Sequence, residues 1–431
     1  MKKVIIISYI MVIFSLKSSL LALIWTPQQS GTTFTLQEVK FVNEKIGWIA
    51  GGSSGGAADG IILRTTDGEN TWINKTPSGL NLDVVFDIAP IDSLICHAVA
   101  KDASDNYLII KTTDGGNNWA VKSDGLGTFP VCIDFVDMYY GWTAGELDYD
   151  PQRILHTTDG GETWFRLPGI GWEDYNGGPT RILFLTRQKG FVTGGTEDSP
   201  TTRGYIMGTT DEGYNWLEVY HWGSVIPYTW PLVEGICFID SIHGWACGTL
   251  YGATPGEREL RIAYSADGGQ NFDEILLVYP NDLMTLEDIE MITLEEGFVV
   301  GRYGRIWHTK NNWDTYFYDT TNTTATLYSL DFAISGDTAY GWAVGSGGTI
   351  LHCRVPMGVK IIEKEKELIK SYILFPITKD RSLSALPKKE IYSINGRKVE
   401  IMNKRTLPKG IYFLNLQKEG KEIAKFKLIK F

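Results

Sequence analysis

Carboxylates are the residues in this chain whose types and spacing could do chemistry, and they fall into two sets. One is periodic: Asp67, Asp114, Asp159, Asp211 and Asp267, followed by Asn311, recur at spacings of 44 to 56 residues. The other is Glu38, Asp83, Glu234 and Asp288, with Arg181, each near the start of a short alternating apolar stretch. Two carboxyl groups held roughly 5–9.5 Å apart can serve a glycosidase as acid and base or as acid and nucleophile. Carboxylates can also hold calcium or accept N–H bonds in turns. The choice depends on the elements that position them.

Those elements repeat. The octapeptide TTDGENTW at 65–72 recurs as TTDGGNNW at 112–119, TTDGGETW at 157–164 and TTDEGYNW at 209–216, with looser copies SADGGQNF at 265–272 and TKNNWDTY at 309–316. A second signature precedes the boxes: GWIAGG (47–52), GWTAGE (141–146), GFVTGG (190–195), GWACG (244–248), GFVVG (297–301) and GWAVGS (341–346), worn to ICHAVA at 95–100. Upstream of each lies an alternating strand, from EVKFV at 38–42 to LDFAI at 330–334. A period of this length is that of a four-stranded propeller blade, and the count predicts an all-β, seven-bladed β-propeller over residues 23–356. The seventh unit ends at GTILHCRVP without a box or a fourth strand, whereas IWTPQQSGTT at 24–33 resembles the outer strand after the first box. The N-terminal strand is therefore expected to close the last blade, protecting sheet edges.

On this plan the periodic Asp residues are structural. Each carboxylate would accept backbone N–H bonds in the turn between third and fourth strands, the glycines would permit positive φ, and the final aromatic would be buried between blades. Six copies spread round a ring cannot converge on one catalytic site. The second carboxylate set would lie at the channel mouth. Asp134 and Asp331, two residues further along their strands, are expected to bind backbone.

Composition limits the partners. The chain has 431 residues; from Lys360 onward there are 18 Lys+Arg against 8 Asp+Glu, and before it 22 against 43. So acidic a main body argues against nucleic acid, which requires a basic footprint. Lys2, Lys3 and the apolar run Val4–Phe14, ending in small residues up to Ala22, read as a signal peptide over 1–22. Lys17 interrupts that run before it can span a bilayer, and no later segment is apolar enough, so no membrane span is expected in the mature chain. Cys96, Cys132, Cys237, Cys247 and Cys353 form no framework and read as buried hydrophobes, all but Cys96 in regular strands. No HExxH, phosphate loop or nucleophile elbow occurs, and the six histidines show no metal spacing, so no metal or cofactor is expected.

Loops that share one propeller face supply a different candidate site. The blade-to-blade connections at 169–179 and 220–231 offer Trp172, Tyr175, Tyr220, Trp222, Tyr228 and Trp230, beside long polar loops at 145–153, 195–204 and 248–261. An aromatic, acidic rim of this kind over blades three to five is expected to bind a glycan or a polypeptide.

The GW element, the short strand and TTDGGxxW together resemble Asp-box (BNR) propellers. In spacing they are similar to the photosystem II stability/assembly-factor family and its bacterial relatives, over roughly 24–354. Asp boxes also occur in sialidases and xyloglucanases, so this resemblance implies fold more strongly than function. In the photosynthetic members an arginine cluster is the functional feature; no comparable cluster is visible in this sequence. Beyond a charged linker at 357–371, IYSINGRKVEIMN (391–403), LPKGIYFLNL (407–416) and EIAKFKLIKF (422–431) resemble a type IX secretion C-terminal sorting domain, which implies a small β-sandwich-like unit over 372–431 that engages the secretion machinery. The expectation is a secreted or cell-surface binding protein. A glycoside hydrolase using channel-mouth carboxylates and an assembly factor for an envelope complex are the alternatives.

Overall fold

Each repeat folds into a four-stranded antiparallel sheet because its strands are short, alternate in polarity and are separated by tight turns. The computed structural model describes residues 22–357, apart from 54–57, 69–70, 124–128, 147–153, 169–170, 172–177, 197–201, 224–229, 252–257 and 279–282, and three strands beyond residue 388. The chain divides into two compact units, Met1–Pro356 and Met357–Phe431. The first contains seven four-stranded sheets. Their inner strands are Leu36–Phe41, Leu82–Pro90, Phe129–Phe135, Pro179–Phe184, Trp230–Phe238, Leu286–Met291 and Leu327–Ser335. In the seventh sheet the order from outside is Thr26–Gln28, Thr349–Pro356, Thr338–Gly345, Leu327–Ser335, so the N-terminal strand does close the ring. The second unit shows an antiparallel sheet of Lys389–Ser393, Gly410–Lys418 and Lys421–Lys430; the linker and the remainder of the expected sorting domain lie outside the described residues.

The GW signature has a steric cause that its pattern alone does not reveal. In four blades the Phe ending the inner strand lies directly across from the Gly that starts the second strand: Phe41 from Gly47, Phe135 from Gly141, Phe184 from Gly190, Phe238 from Gly244. The ring folds over that glycine, and a Cβ on Gly141 would lie 2.5 Å from Phe135 Cε1, on Gly190 2.6 Å from Phe184 Cδ1. The following aromatic then stacks on the ring of the next blade: Trp142 on Phe184 at 3.7 Å and 5°, Phe191 on Phe238 at 5.0 Å, Trp342 on Phe41 at 3.4 Å. Blade two departs from the signature because Pro90 takes the ring position opposite Cys96, leaving room for a side chain. That places Cys96, expected outside a regular strand, within the second strand Cys96–Asp102; all five cysteines are buried free thiols.

The Asp boxes lock this stack from the side. Asp159 Oδ1 accepts the Thr163 N–H at 2.9 Å and its Oδ2 the Thr163 hydroxyl at 2.6 Å; Asp114 binds Asn118 through the same two atoms. The terminal ring meets the stacked pair edge-on, as Trp216 does Phe184 (6.2 Å, 88°) and Trp164 does Phe135 (5.9 Å, 90°). Indole N–H groups complete the joint: Trp142 Nε1 donates to Glu212 C=O and Trp342 Nε1 to Gly68 C=O, both at 2.8 Å and both in the next blade's box. In blade seven, which has no box, Trp25 occupies the edge-on place against Phe332 and Phe298.

Overpacking beneath a ring costs about 1–3 kcal/mol. Gly141→Ala is expected to destabilise the propeller by that amount in urea unfolding, and by less than about 1 kcal/mol in a Phe135→Leu background, where the smaller side chain can move aside.

Candidate functional site at the channel mouth

A β-bulge near the start of every inner strand leaves one residue without a cross-strand partner, Asp83, Glu234 and Glu287 among them, and Glu38, Arg181 and Asp288 directly follow this position in blades one, four and six. From blade four, Arg181 reaches across the ring to blades one and six. Its Nη1 pairs with Glu38 Oε2, and its Nη2 lies 3.4 Å from Asp288 Oδ2. Glu38 is fully buried and also accepts the Ser329 hydroxyl at 2.9 Å, with Lys40 Nζ at 3.2 Å. Burial alone would raise the Glu38 pKa, but Arg181 and then Lys40 hold it below the ordinary value. Asp288 accepts the N–H groups of Ile289 at 3.0 Å and Leu330 at 3.2 Å, fastening blade six to blade seven. Asp87, Asp134 and Asp331 do the same for their neighbours, binding Ile133 N–H at 2.9 Å, Phe184 N–H at 2.6 Å and Phe41 N–H at 2.5 Å. Glu38, Arg181 and Asp288 thus form a plug across the channel instead of a solvated acid/base pair. Asp83 is not part of it: buried near the start of its strand, it lies 3.7 Å from Lys101 Nζ.

Glu234 occupies the outer edge of this mouth, beside Glu287. Tyr251 donates its hydroxyl to Glu234 Oε1 at 3.1 Å, and Thr285 its hydroxyl to Glu287. Burial, then the Glu287 charge, pushes Glu234 up to about 8; burial also raises Glu287, against the Thr285 bond and the Arg302 charge. A carboxyl group raised this far keeps its proton at neutral pH. By contrast, the side-chain amides of Asn118 and Asn271 hold Asp114 and Asp267 down at about 2, so the box residues stay ionised.

Sequence reasoning missed the arginines that converge here. Arg258 is buried, donates from Nη1 to Leu283 C=O at 3.1 Å, and lies 5.2 Å from the Tyr251 ring centroid. Arg305 reaches Met284 Sδ and lies 5.8 Å from the Tyr303 ring. The Arg302 charge acts on Arg258, Tyr251 and Glu287. Between them Tyr303 is 44 % exposed and adopts φ 63°, ψ 26°, where the equivalent turn of blade seven has Gly347 at φ 66°, ψ 27°. A left-handed tyrosine in a glycine position is strained by about 1–2 kcal/mol. The signal available in the sequence was GRYGR at 301–305 standing where blade seven reads GSGGT.

The expected aromatic rim is only partly described. Trp172, Tyr175 and Tyr228, the Trp230 side chain and the middles of the three polar loops lie outside the described residues. Trp222, expected on the rim, is a packing residue: it is 2 % exposed, in one apolar cluster with Ile206, Val233 and Phe272. A Cβ on Gly204 would lie 2.6 Å from its Nε1, so small neighbours make room for the indole. Tyr220 is half-buried, edge-on to Trp222 at 5.7 Å, and burial pushes its hydroxyl up to about 12. Among the described residues, no group of three or more His, Cys, Asp or Glu could hold a metal ion. Several histidines instead extend the aromatic stacks, as His156 does beside Trp142 at 4.6 Å and His352 beside Trp342 at 5.1 Å.

Residues 83–225, spanning blades two to four, match the family model for the photosynthesis system II assembly factor YCF48. Among solved structures the chain is similar to YCF48 bound to D1 peptide, at 17% identity and TM-score 0.56, covering 76% of this chain and 96% of that one. It is similar to YCF48 from Cyanidioschyzon merolae at 15% identity and TM-score 0.56, covering 76% and 98%. The GH74 xyloglucanase from Xanthomonas campestris aligns at 11% identity and TM-score 0.51, covering 76% of this chain and 53% of the enzyme. No curated protein matches. At these identities the structural likenesses establish the fold, a β-propeller, whose seven blades the sheet topology shows.

Carboxyl groups with raised pKa bind protons in the folded state that the unfolded chain releases, so their contribution to stability falls as pH rises. Glu234 at about 8 and Asp87 at about 7 titrate in this way, whereas His97 and His156, each lowered to about 4 by burial, oppose them only below their ordinary value of 6.5. The unfolding midpoint is therefore expected to rise as pH falls from about 8.5 to 6.5, and Glu234→Gln to flatten that rise. Calorimetry at fixed ionic strength measures both.

Proposed function

We propose that this chain is a secreted or cell-surface binding protein whose ligand is a polypeptide held at the channel mouth and the adjoining rim of blades three to five. The observation that carries this reading is Tyr303, kept in a strained left-handed conformation with its ring exposed between arginines, where the fold itself uses glycine. Strain of this kind persists where it serves a site. Tyrosine and arginine are the side chains that most often anchor a protein partner, the ring by area and the guanidinium by bidentate bonds to carboxylates. Set in so acidic a body, the three arginines would select an acidic or carboxylate-bearing segment. The likeness to YCF48 bound to D1 peptide supports a polypeptide over a glycan. The leader over 1–22 and the strands after residue 388 support export through a secretion system, and an assembly role on an envelope complex is one form this binding would take.

A glycoside hydrolase is the second reading. It is favoured by Glu234, a proton donor up to about pH 8, beside Glu287. It is disfavoured by the neutralisation of Glu38 and Asp288 on Arg181.

Arrays of peptides with free C-terminal carboxylates and of glycans separate these readings. Wild type is expected to bind a subset of peptides, weakened tenfold or more by Tyr303→Ala or Arg302→Gln and by added salt. Tyr303→Gly should bind as poorly yet melt at a higher temperature, since the strain is relieved. Binding confined to glycans, or polysaccharide turnover lost in Glu234→Gln, would overturn the proposal.

A further inference from the structure

One buried carboxylate holds the strap that closes the ring. Asp319 follows the outer strand Tyr316–Tyr318 of blade six, and its side chain is completely buried. Its Oδ1 accepts the Leu23 backbone N–H at 2.8 Å and faces His308 Nδ1 at 3.0 Å, while Oδ2 accepts the Trp25 indole N–H at 3.0 Å. The strap is further tied by the Trp25 N–H to Thr320 C=O at 2.9 Å and the Thr320 N–H to Leu23 C=O at 2.8 Å. Residues 26–28 then pair with blade seven. Among the described residues, neither lysine nor arginine lies within 4 Å of Asp319, so an interior carboxylate holds the closure through neutral N–H groups and one imidazole.

Leu23 is also the residue that follows the expected leader. Hydrolysis of the Ala22–Leu23 peptide bond by a leader peptidase breaks the C–N bond and consumes one water, whose hydroxyl goes to the Ala22 carbonyl carbon and whose hydrogen goes to the Leu23 nitrogen. The new α-amine takes a further proton from solvent at neutral pH, since such amines titrate near 7.7–8.0. The nitrogen that donates one neutral N–H bond to Asp319 becomes a cation at the same position.

We propose that leader removal locks the propeller: the Leu23 α-ammonium created by the cut pairs with buried Asp319 and fastens the strap that completes blade seven. This rests on the export reading above. A charge-assisted bond to a carboxylate is about twice as strong as a neutral one, and Asp319 already stands at the required distance. The other groups facing the pair are few. His308 Nε2 lies 3.0 Å from Glu296 Oε1, and Lys310 Nζ lies 3.6 Å from the same oxygen. From blade seven, the His352 carbonyl accepts the Thr26 hydroxyl, and the buried Cys353 thiol lies near Asp319. Burial would lower the His308 pKa, but its bonds to Asp319 and Glu296 raise it overall. The ammonium competes with this imidazolium for Asp319, so the His308 midpoint falls once the terminus is free. The paired amine has its own pKa raised, so its stabilisation is complete below about 8 and is lost as pH rises through the raised value.

The test uses the mature chain, residues 23–431, prepared with a free Leu23 amine and again with that amine acetylated, the acetyl group taking the place of the Ala22 carbonyl. At pH 7 the free form is expected to melt about 2 °C or more above the acetylated form. The difference should vanish at pH 10 and in Asp319→Asn, and the His308 ring resonances should titrate at lower pH in the free form. The titration reads the pairing even if Asp319→Asn does not fold. Identical melting of the two forms at pH 7, or an unchanged His308 midpoint, overturns the lock. Terminal sequencing of exported protein tests the processing step separately: Leu23 supports it, and any other first residue overturns the cut while leaving the ion-pair measurement to stand on its own.

Discussion

The joint between neighbouring blades is the interaction on which the rest depends. An aromatic ring at the end of one inner strand lies over a glycine of its own blade and under an indole, phenyl or imidazole of the preceding one. The Asp-box ring seals the joint edge-on, and the indole N–H reaches the box backbone. Stacking, glycine and carboxylate turn are thus parts of one device, which explains why they recur together. Where Pro90 replaces the ring, Cys96 replaces the glycine. Where the last blade lacks a box, a tryptophan from the opposite end of the chain supplies the seal.

A ring built in this way leaves its axis to be filled. Beyond the bulge of each inner strand, most carboxylates are engaged in holding neighbouring blades or in neutralising Arg181. Chemistry is left to the outer margin, where loops between second and third strands differ from blade to blade. Blade six uses its loop to display a strained tyrosine between arginines, and blade five supplies Glu234, whose pKa burial and the neighbouring Glu287 raise. The rigid frame carries that strain because joints on both sides over-determine the backbone.

The fold was legible because periodic chemistry betrays periodic structure: blade number, closure by the N-terminal strand and the structural role of the box aspartates all follow from spacing. The glycine of GW was not, since its cause is a ring several residues away in sequence that becomes its cross-strand partner only in the sheet. The site was read less well for a related reason. Channel-mouth carboxylates look alike in sequence, and only the fold shows that Arg181 reaches across from blade four to claim two of them. Trp222 reads as a rim residue because its loop is long, yet glycines at 204 and 248 make a slot for it. Arg258, Arg302 and Arg305 escape notice because they belong to two loops more than 40 residues apart, and only Tyr303 in a glycine position marks the place.

The central functional claim is that a polypeptide docks at the mouth beside Tyr303. A photoreactive phenylalanine analogue installed at position 303, irradiated with a bound peptide and mapped by mass spectrometry, tests this most directly. The account predicts cross-links from position 303 to the peptide, competed away by unlabelled peptide. Cross-links obtained only from probes on the Asp-box face or the outer strands, with position 303 silent, would contradict it.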